Sequence, residues 1–186
     1  MKVRTFLFLA AAMLAPVTAL AQDAPRVFVS PFIGVSAGGD AEQSALTTGI
    51  SAGWLGAGHW GFEGEVADAP AFFEQDGFRT ERRLTTVMGS AIYKLRSTAY
   101  TPYVVGGLGM MRPFLAEAGE LAVVKENKGA FNIGGGVMAD VREHLGVRAD
   151  VRYLRSFGKD DAPNPFGIDF GKFGFWRVSA GVVIGF

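Results

Sequence analysis

FWRVSAGVVIGF, residues 175–186, alternates along its whole length. Trp176, Val178, Ala180, Val182, Ile184 and Phe186 share one face, and Phe175, Arg177, Ser179, Gly181, Val183 and Gly185 share the other, which is smaller and more polar. Alternation with period two is the signature of a β-strand, because successive side chains point to opposite faces of a sheet. The same pattern recurs upstream. In residues 145–155, Leu145, Val147, Ala149, Val151 and Tyr153 alternate with Gly146, Arg148, Asp150, Arg152 and Leu154. Residues 130–141 set Phe131, Ile133, Val137, Ala139 and Val141 against Asn132, Gly134, Gly136 and Asp140. In residues 59–67, Trp60, Phe62 and Val66 oppose His59, Gly61, Glu63 and Glu65.

Four further segments read as extended with less regular phase: 26–36, 45–55, 83–95 and 100–111. The last is apolar on both faces, with Tyr100, Val104 and Leu108 assigned outward. Pro31 and Pro102 each lack a ladder donor and are expected at a bulge or near a strand end. The eight segments are joined unequally. Gly56-Ala57-Gly58, Arg96 to Thr98 and Arg142-Glu143 are tight, whereas about residues 37–44, 68–81, 112–128 and 158–173 are long and polar or rich in Pro and Gly. An even number of antiparallel strands, with turns at one end and loops at the other, is the plan of an outer-membrane barrel.

The polarity of the two faces points the same way. Glu63, Glu65, Asp140, Arg148, Asp150, Arg152 and Arg177 lie opposite faces that are almost wholly apolar. A soluble lipocalin-like barrel would carry its apolar residues inside and its charges outside. Here an Arg or Lys turned to the middle of the bilayer would cost about 2–4 kcal/mol. The expected fold is therefore all-β: an eight-stranded antiparallel up-and-down transmembrane barrel, with these seven residues as an interior charge network. Trp54, Trp60, Tyr93, Tyr153, Trp176 and Phe186 fit interfacial girdles.

The N-terminus assigns the compartment. Lys2 and Arg4 precede an apolar run, Phe6 to Leu14, and Ala19-Leu20-Ala21 reads as a small-residue cleavage site. This is the layout of a signal peptide, so residues 1–21 are set apart from a barrel domain at 22–186. Without Lys2 and Arg4, 16 basic residues face 18 acidic ones, and no basic excess points to nucleic acid. Cysteine is absent, which excludes disulfides and thiolate metal sites. The 26 glycines speak against a helical domain, since glycine costs about 1 kcal/mol at each helix-interior position.

GAFNIGGGVMADVREHLGVRADVRYLRSF, residues 129–157, resembles the glycine-rich penultimate hairpin of small OmpA/OmpX-like and opacity-type outer-membrane barrels. Thr101-Pro102-Tyr103, with Gly106, Gly107 and Gly109, resembles the fifth strand of that superfamily. The final alternation, Trp176, Val178, Ala180, Val182, Ile184 and Phe186, resembles the C-terminal signal read by the barrel-assembly machinery. The resemblance implies outer-membrane lipid and lipopolysaccharide as surroundings, and leaves an extracellular ligand to the long loops. No peptidoglycan-binding domain is expected after Phe186.

Three functions follow as expectations. The first is a non-enzymatic barrel with a structural, membrane-integrity or surface-interaction role. The second is a narrow porin-like channel for small solutes or ions. The third, a lipid A-modifying enzyme, would need a His-Ser constellation near the long loops. His59, expected inward, and His144 both fall at tight turns, and neither has a Ser two residues away. Glu63 and Glu65 are read as structural, so no catalytic, cofactor or metal residue is assigned. Glu117, Glu120, Glu126, Asp160, Asp161 and Asp169 match no calcium-loop spacing. Phe72-Phe73 and Leu121 to Val124 place apolar groups in loops without an assigned role.

Overall fold

The computed structural model of the chain describes residues 25–70, 81–95, 100–116, 127–157 and 173–186. The signal-peptide segment, the 96–98 linker and both apolar loop segments lie outside them. Eight strands follow in order: β1 (Arg26–Gly38), β2 (Ala41–Leu55), β3 (Trp60–Pro70), β4 (Glu81–Lys94), β5 (Tyr100–Ala116), β6 (Lys128–Arg142), β7 (Leu145–Ser156) and β8 (Gly174–Gly185). Each pairs antiparallel with its chain neighbour, and the sheet closes as a barrel. Closure joins β1 to β8, with Phe28 opposite Gly185, Val35 opposite Val178 and Ser36 opposite Arg177. The amide of Phe186 completes it by donating to Val27 O at 2.9 Å. Every strand thus has two neighbours, the condition a sheet must meet to keep backbone polar groups paired within lipid.

The faces are inverted relative to a soluble protein. Large apolar side chains stand exposed on the outer wall, among them Leu108 at 65%, Phe62 at 58% and Trp60 at 57%. Arg152 and Arg177, by contrast, are each only 1% exposed inside. Tyr100, Val104 and Leu108 face outward, as assigned, and so do Trp176, Val178, Ala180, Val182, Ile184 and Phe186. At the turn end, Trp60 packs edge-on to Tyr93 (5.0 Å) and His59 stacks on Tyr93 (5.3 Å). Toward the loop end, Phe131, Tyr153, Phe157 and Trp176 form a continuous ring contact across β6, β7 and β8.

Three expectations are corrected. The 37–44 linker is not long: β1 and β2 are joined through Gly39-Asp40, with Gly38 and Gly39 at φ 72° and 67°. Glycine reaches that left-handed region without steric penalty, so the chain reverses there directly. Next, β3, β4 and β5 run further toward the loop end than read, because their outward positions become polar while the ladder continues. Asp68, Thr85 and Arg112 sit opposite one another, as do Pro70 and Arg83. Finally, Pro31 lies inside β1 with no bulge. The register with β2 is continuous through Pro31 and Ile50, and the interruption falls on the β8 side, between Val29 and Phe32. Pro102 is the third residue of β5, near the strand end as expected.

The lumen is layered. At the turn end Phe28, Leu55, Ile92, Tyr103, Val105, Met138 and Val183 form one apolar cluster. At the loop end Ala45, Ala69, Leu84, Met88, Met111, Ala130, Leu154 and Phe175 form another. Eight strands leave a lumen that side chains can fill, and the space between these tiers holds the charges.

Candidate functional site

Six of the seven predicted interior charges meet in that middle layer. β3 supplies Glu63 and Glu65 from successive inward positions. β7 supplies Arg148, Asp150 and Arg152, and β8 supplies Arg177; all six are buried. Because β3 stands across the lumen from β7, the ion pairs of Glu63 and Glu65 run from wall to wall, while those of Asp150 stay within β7.

Arg148 is the most heavily engaged. Its Nη1 donates to Glu63 Oε2 at 2.9 Å and to Ser51 Oγ at 3.3 Å. Its Nε reaches Asp150 Oδ2 at 2.9 Å, and Nη2 donates to Asp150 Oδ1 at 2.9 Å and to the Tyr103 hydroxyl at 3.0 Å. The fork geometry of guanidinium suits this bidentate grip on a carboxylate. Tyr103 in turn donates its hydroxyl to Asp150. Arg152 lies among three carboxylates: Glu63 Oε1 at 2.6 Å, Asp150 Oδ1 at 3.0 Å and Glu65 Oε2 at 3.4 Å. Its contact with Glu63 is the closest of the three. Arg177 donates to Glu65 Oε1 at 2.6 Å and lies 5.0 Å over the Phe32 ring. Three carboxylates thus face three guanidiniums, and the belt has no net formal charge. With all six side chains shielded from solvent that balance matters, because a buried charge without a partner is costly.

The seventh residue, Asp140, lies elsewhere. It sits at the turn-end rim, where Arg26 Nη1 reaches it at 2.7 Å, and both side chains are partly exposed. Its inward phase placed it in the lumen, but its position one rung from the end of β6 puts it at the mouth. His59 is also corrected. It is exposed in the β2–β3 turn, where its Nδ1 contacts the Lys94 carbonyl at 2.7 Å, since the strand phase does not carry into the turn. His144 is exposed at the β6–β7 turn.

Sequence reasoning missed several interior polar groups, among them Tyr103, Ser51 and Lys94. Tyr103 was hidden by the two-sided apolarity of β5. Ser51 was hidden because a small hydroxyl carries no periodic signal. Lys94 is buried at the turn end, with Nζ donating to Gly56 O at 2.8 Å. A lysine one residue from a turn reads as surface charge, so no signal distinguished it. A second buried pair, Ser90 and Asn132, links β4 and β6 at 3.0 Å. Among the described residues, no cluster of His, Cys, Asp and Glu is arranged to hold a metal ion.

The chain is similar in fold to Neisserial surface protein A (TM-score 0.65, 18% identity, covering 90% of this chain and 99% of that one). It is also similar to the N-terminal β-barrel domain of Pseudomonas aeruginosa OprF (0.58, 18%, 87% and 97%). A third relative in fold is Ail, the attachment invasion locus protein of Yersinia pestis (0.52, 14%, 88% and 100%). At these identities the likeness establishes the fold alone. No curated protein sequence matches the chain. The family model described as the outer membrane protein beta-barrel domain matches residues 7–182, and the chain belongs to that family of small outer-membrane barrels.

Proposed function

We propose that this barrel is non-conducting and non-enzymatic, and serves the outer membrane as a structural element that holds its surface loops. The observation that carries this reading is the filling of the lumen. A charge-balanced belt is stacked between two apolar tiers, one led by Phe28, Ile92 and Val183 and the other by Met88, Met111 and Leu154. An ion entering from either end would first have to shed water against apolar side chains, at a cost no unpaired charge in the belt would repay. The two histidines support the non-enzymatic part. Both lie at the turn end, which is periplasmic in this plan, away from the outer leaflet. A surface partner would meet segments 71–80, 117–126 and 158–172, which lie outside the described residues. In the same reading, the outward face from Trp176 to Phe186 acts as the assembly signal.

Planar-bilayer recording on the refolded protein tests the proposal. A silent membrane at protein levels that give complete insertion is expected; stable, reproducible unit conductances would overturn it. Incubation with lipopolysaccharide tests the enzymatic alternative, and fatty acid release above a heat-denatured control would establish it. One feature favours a narrow channel as the second reading. Ser30 Oγ, Thr86 Oγ1 and Arg177 Nε are buried and make no hydrogen bond with any described residue, so they are positions where water would bind.

A further inference from the structure

The junction between β1 and β8 differs in kind from the other seven. Neighbours elsewhere are consecutive in the chain, so each of those pairs is joined at one end by its own connection. β1 and β8 are the first and last strands, and no connection holds either end of their pairing. The ladder between them is also interrupted between Val29 and Phe32, where Pro31 has no N–H to give. A seam of this kind opens from its ends, because terminal ladder bonds fray first.

Side chains fasten both ends. At the loop end the last paired residues are Ala37 and Trp176, after which β1 reverses through Gly38 and Gly39. Asp40 then turns back onto the start of β8. Its amide donates to Gly174 O at 2.8 Å, and its Oδ2 accepts from Gly174 N at 2.9 Å. The carboxylate stands where a β1 carbonyl would be had the strand continued. A Cβ on Gly39 would collide with the Gly174 carbonyl, so this approach requires glycine there. From the other side Ser156 holds Phe173, its amide donating to Phe173 O at 2.9 Å and its Oγ accepting from Phe173 N at 3.1 Å. The start of β8 is thereby tied to β7, and Asp40 ties it to β1.

At the turn end the strap is longer. Arg26 on β1 reaches Asp140 on β6 at 2.7 Å, across the two strands that lie between them. Those strands present glycine beneath it. A Cβ on Gly185 of β8 would lie 3.8 Å from Arg26 Cδ, and one on Gly146 of β7 would lie 3.2 Å from Asp140 Oδ1. The ion pair therefore spans the seam and anchors β1 two strands beyond it.

We infer that Asp40 and the Arg26–Asp140 pair are locks on the β1–β8 seam, which set how slowly the closed barrel opens. Both join segments that only closure brings together: Asp40 and Gly174 are 134 positions apart, and Arg26 and Asp140 are 114. Contacts between such distant segments form late, because loop closure costs entropy before they can be made. Interactions absent from the folding transition state act on the unfolding rate and leave the folding rate nearly unchanged. The locks are therefore kinetic.

The test moves refolded protein in phosphatidylcholine bilayers into concentrated urea and follows the folded fraction over time by heat-modifiable migration, with refolding followed on dilution. Asp40→Ala removes a charged acceptor and is expected to unfold about tenfold faster, with refolding within about twofold of wild type. Asp40→Asn keeps an oxygen for Gly174 N and is expected to match wild type. Asp140→Asn breaks a partly exposed ion pair and is expected to unfold about threefold faster. The double variant Ile33→Cys/Ala180→Cys, oxidised across the seam, separates seam opening from general weakening. In that cross-linked background Asp40→Ala and Asp140→Asn are expected to unfold no faster than their parent. Unchanged unfolding of both variants without the cross-link, a loss expressed as slower refolding, or an undiminished effect under the cross-link would each overturn the inference.

Discussion

Replacing Arg152 with Met would test whether the belt stabilises the barrel. The side chain is 1% exposed and sits within 3.4 Å of three carboxylates, so the variant leaves Glu63, Glu65 and Asp150 facing only Arg148 and Arg177. Methionine keeps most of the volume, which separates loss of charge from cavity formation. Removing one partner of a buried ion pair costs about 3–5 kcal/mol, mainly because the other charge stays buried without compensation. With an m-value of about 2 kcal/mol/M, this moves the urea midpoint down by about 2 M. The assay is reversible urea unfolding in phospholipid bilayers, followed by tryptophan emission, with Arg155→Met as the outward control. Adding Glu63→Gln to Arg152→Met restores the balance at two against two and should recover part of the loss. These residues are in contact, so a coupling of about 0.5–3 kcal/mol is expected from the cycle. A loss below about 1 kcal/mol, the range of an exposed charge, would refute the reasoning, since the belt would then behave as a solvated surface.

Three other variants probe separate links. Tyr103→Phe removes a hydroxyl that donates to Asp150 and accepts from Arg148, and should cost about 1–3 kcal/mol in the same unfolding assay. Gly38 has φ 72° and space around it, a built Cβ meeting only Trp176 Cδ1 at 3.9 Å. The penalty there is purely conformational, so Gly38→Val should lose about 1–2 kcal/mol while Gly38→Asn stays near wild type. Deleting Phe186 removes the closing hydrogen bond to Val27 and the last outward aromatic. The assembled fraction in cells should fall, measured by heat-modifiable migration, while refolding in detergent persists; equal assembly in cells would remove this residue from the signal.

The strand count and the inward and outward faces were legible because lipid imposes a strict period-two pattern. Glu63, Glu65, Arg148, Asp150, Arg152 and Arg177 could be assigned to one face from that pattern alone. It fails where the solvent changes. Past Val66, Val87 and Met110 the outward residues become Asp68, Thr85 and Arg112, so strands that continue as ladders cease to look like strands. Phase also carries no height, and Asp140 was therefore grouped with Arg148, Asp150 and Arg152, one to three inward rungs away, when its partner is Arg26 at the rim. Tyr103 was obscured for a different reason. Outward residues on β5 are apolar for lipid and inward ones are apolar for the turn-end tier, so nothing in the sequence separates the hydroxyl that reaches Asp150.

The arrangement of the belt suggests a role beyond its contribution to net stability. A buried ion cluster can be roughly neutral when compared with a well-packed apolar one, so its presence alone does not argue for strength. Its placement does more. Arg148 and Arg152 on β7 and Arg177 on β8 meet carboxylates contributed by β3, from across the lumen. If β7 and β8 slipped by one residue, all three arginines would turn toward lipid, at about 2–4 kcal/mol each near the midplane, or about 6–12 kcal/mol together. The apolar tiers impose no such penalty, because Leu154 or Val183 turned outward would be as well placed in hydrocarbon as inside. Charge thus helps to enforce register in β7 and β8, and β8 is the strand whose pairing with β1 closes the barrel.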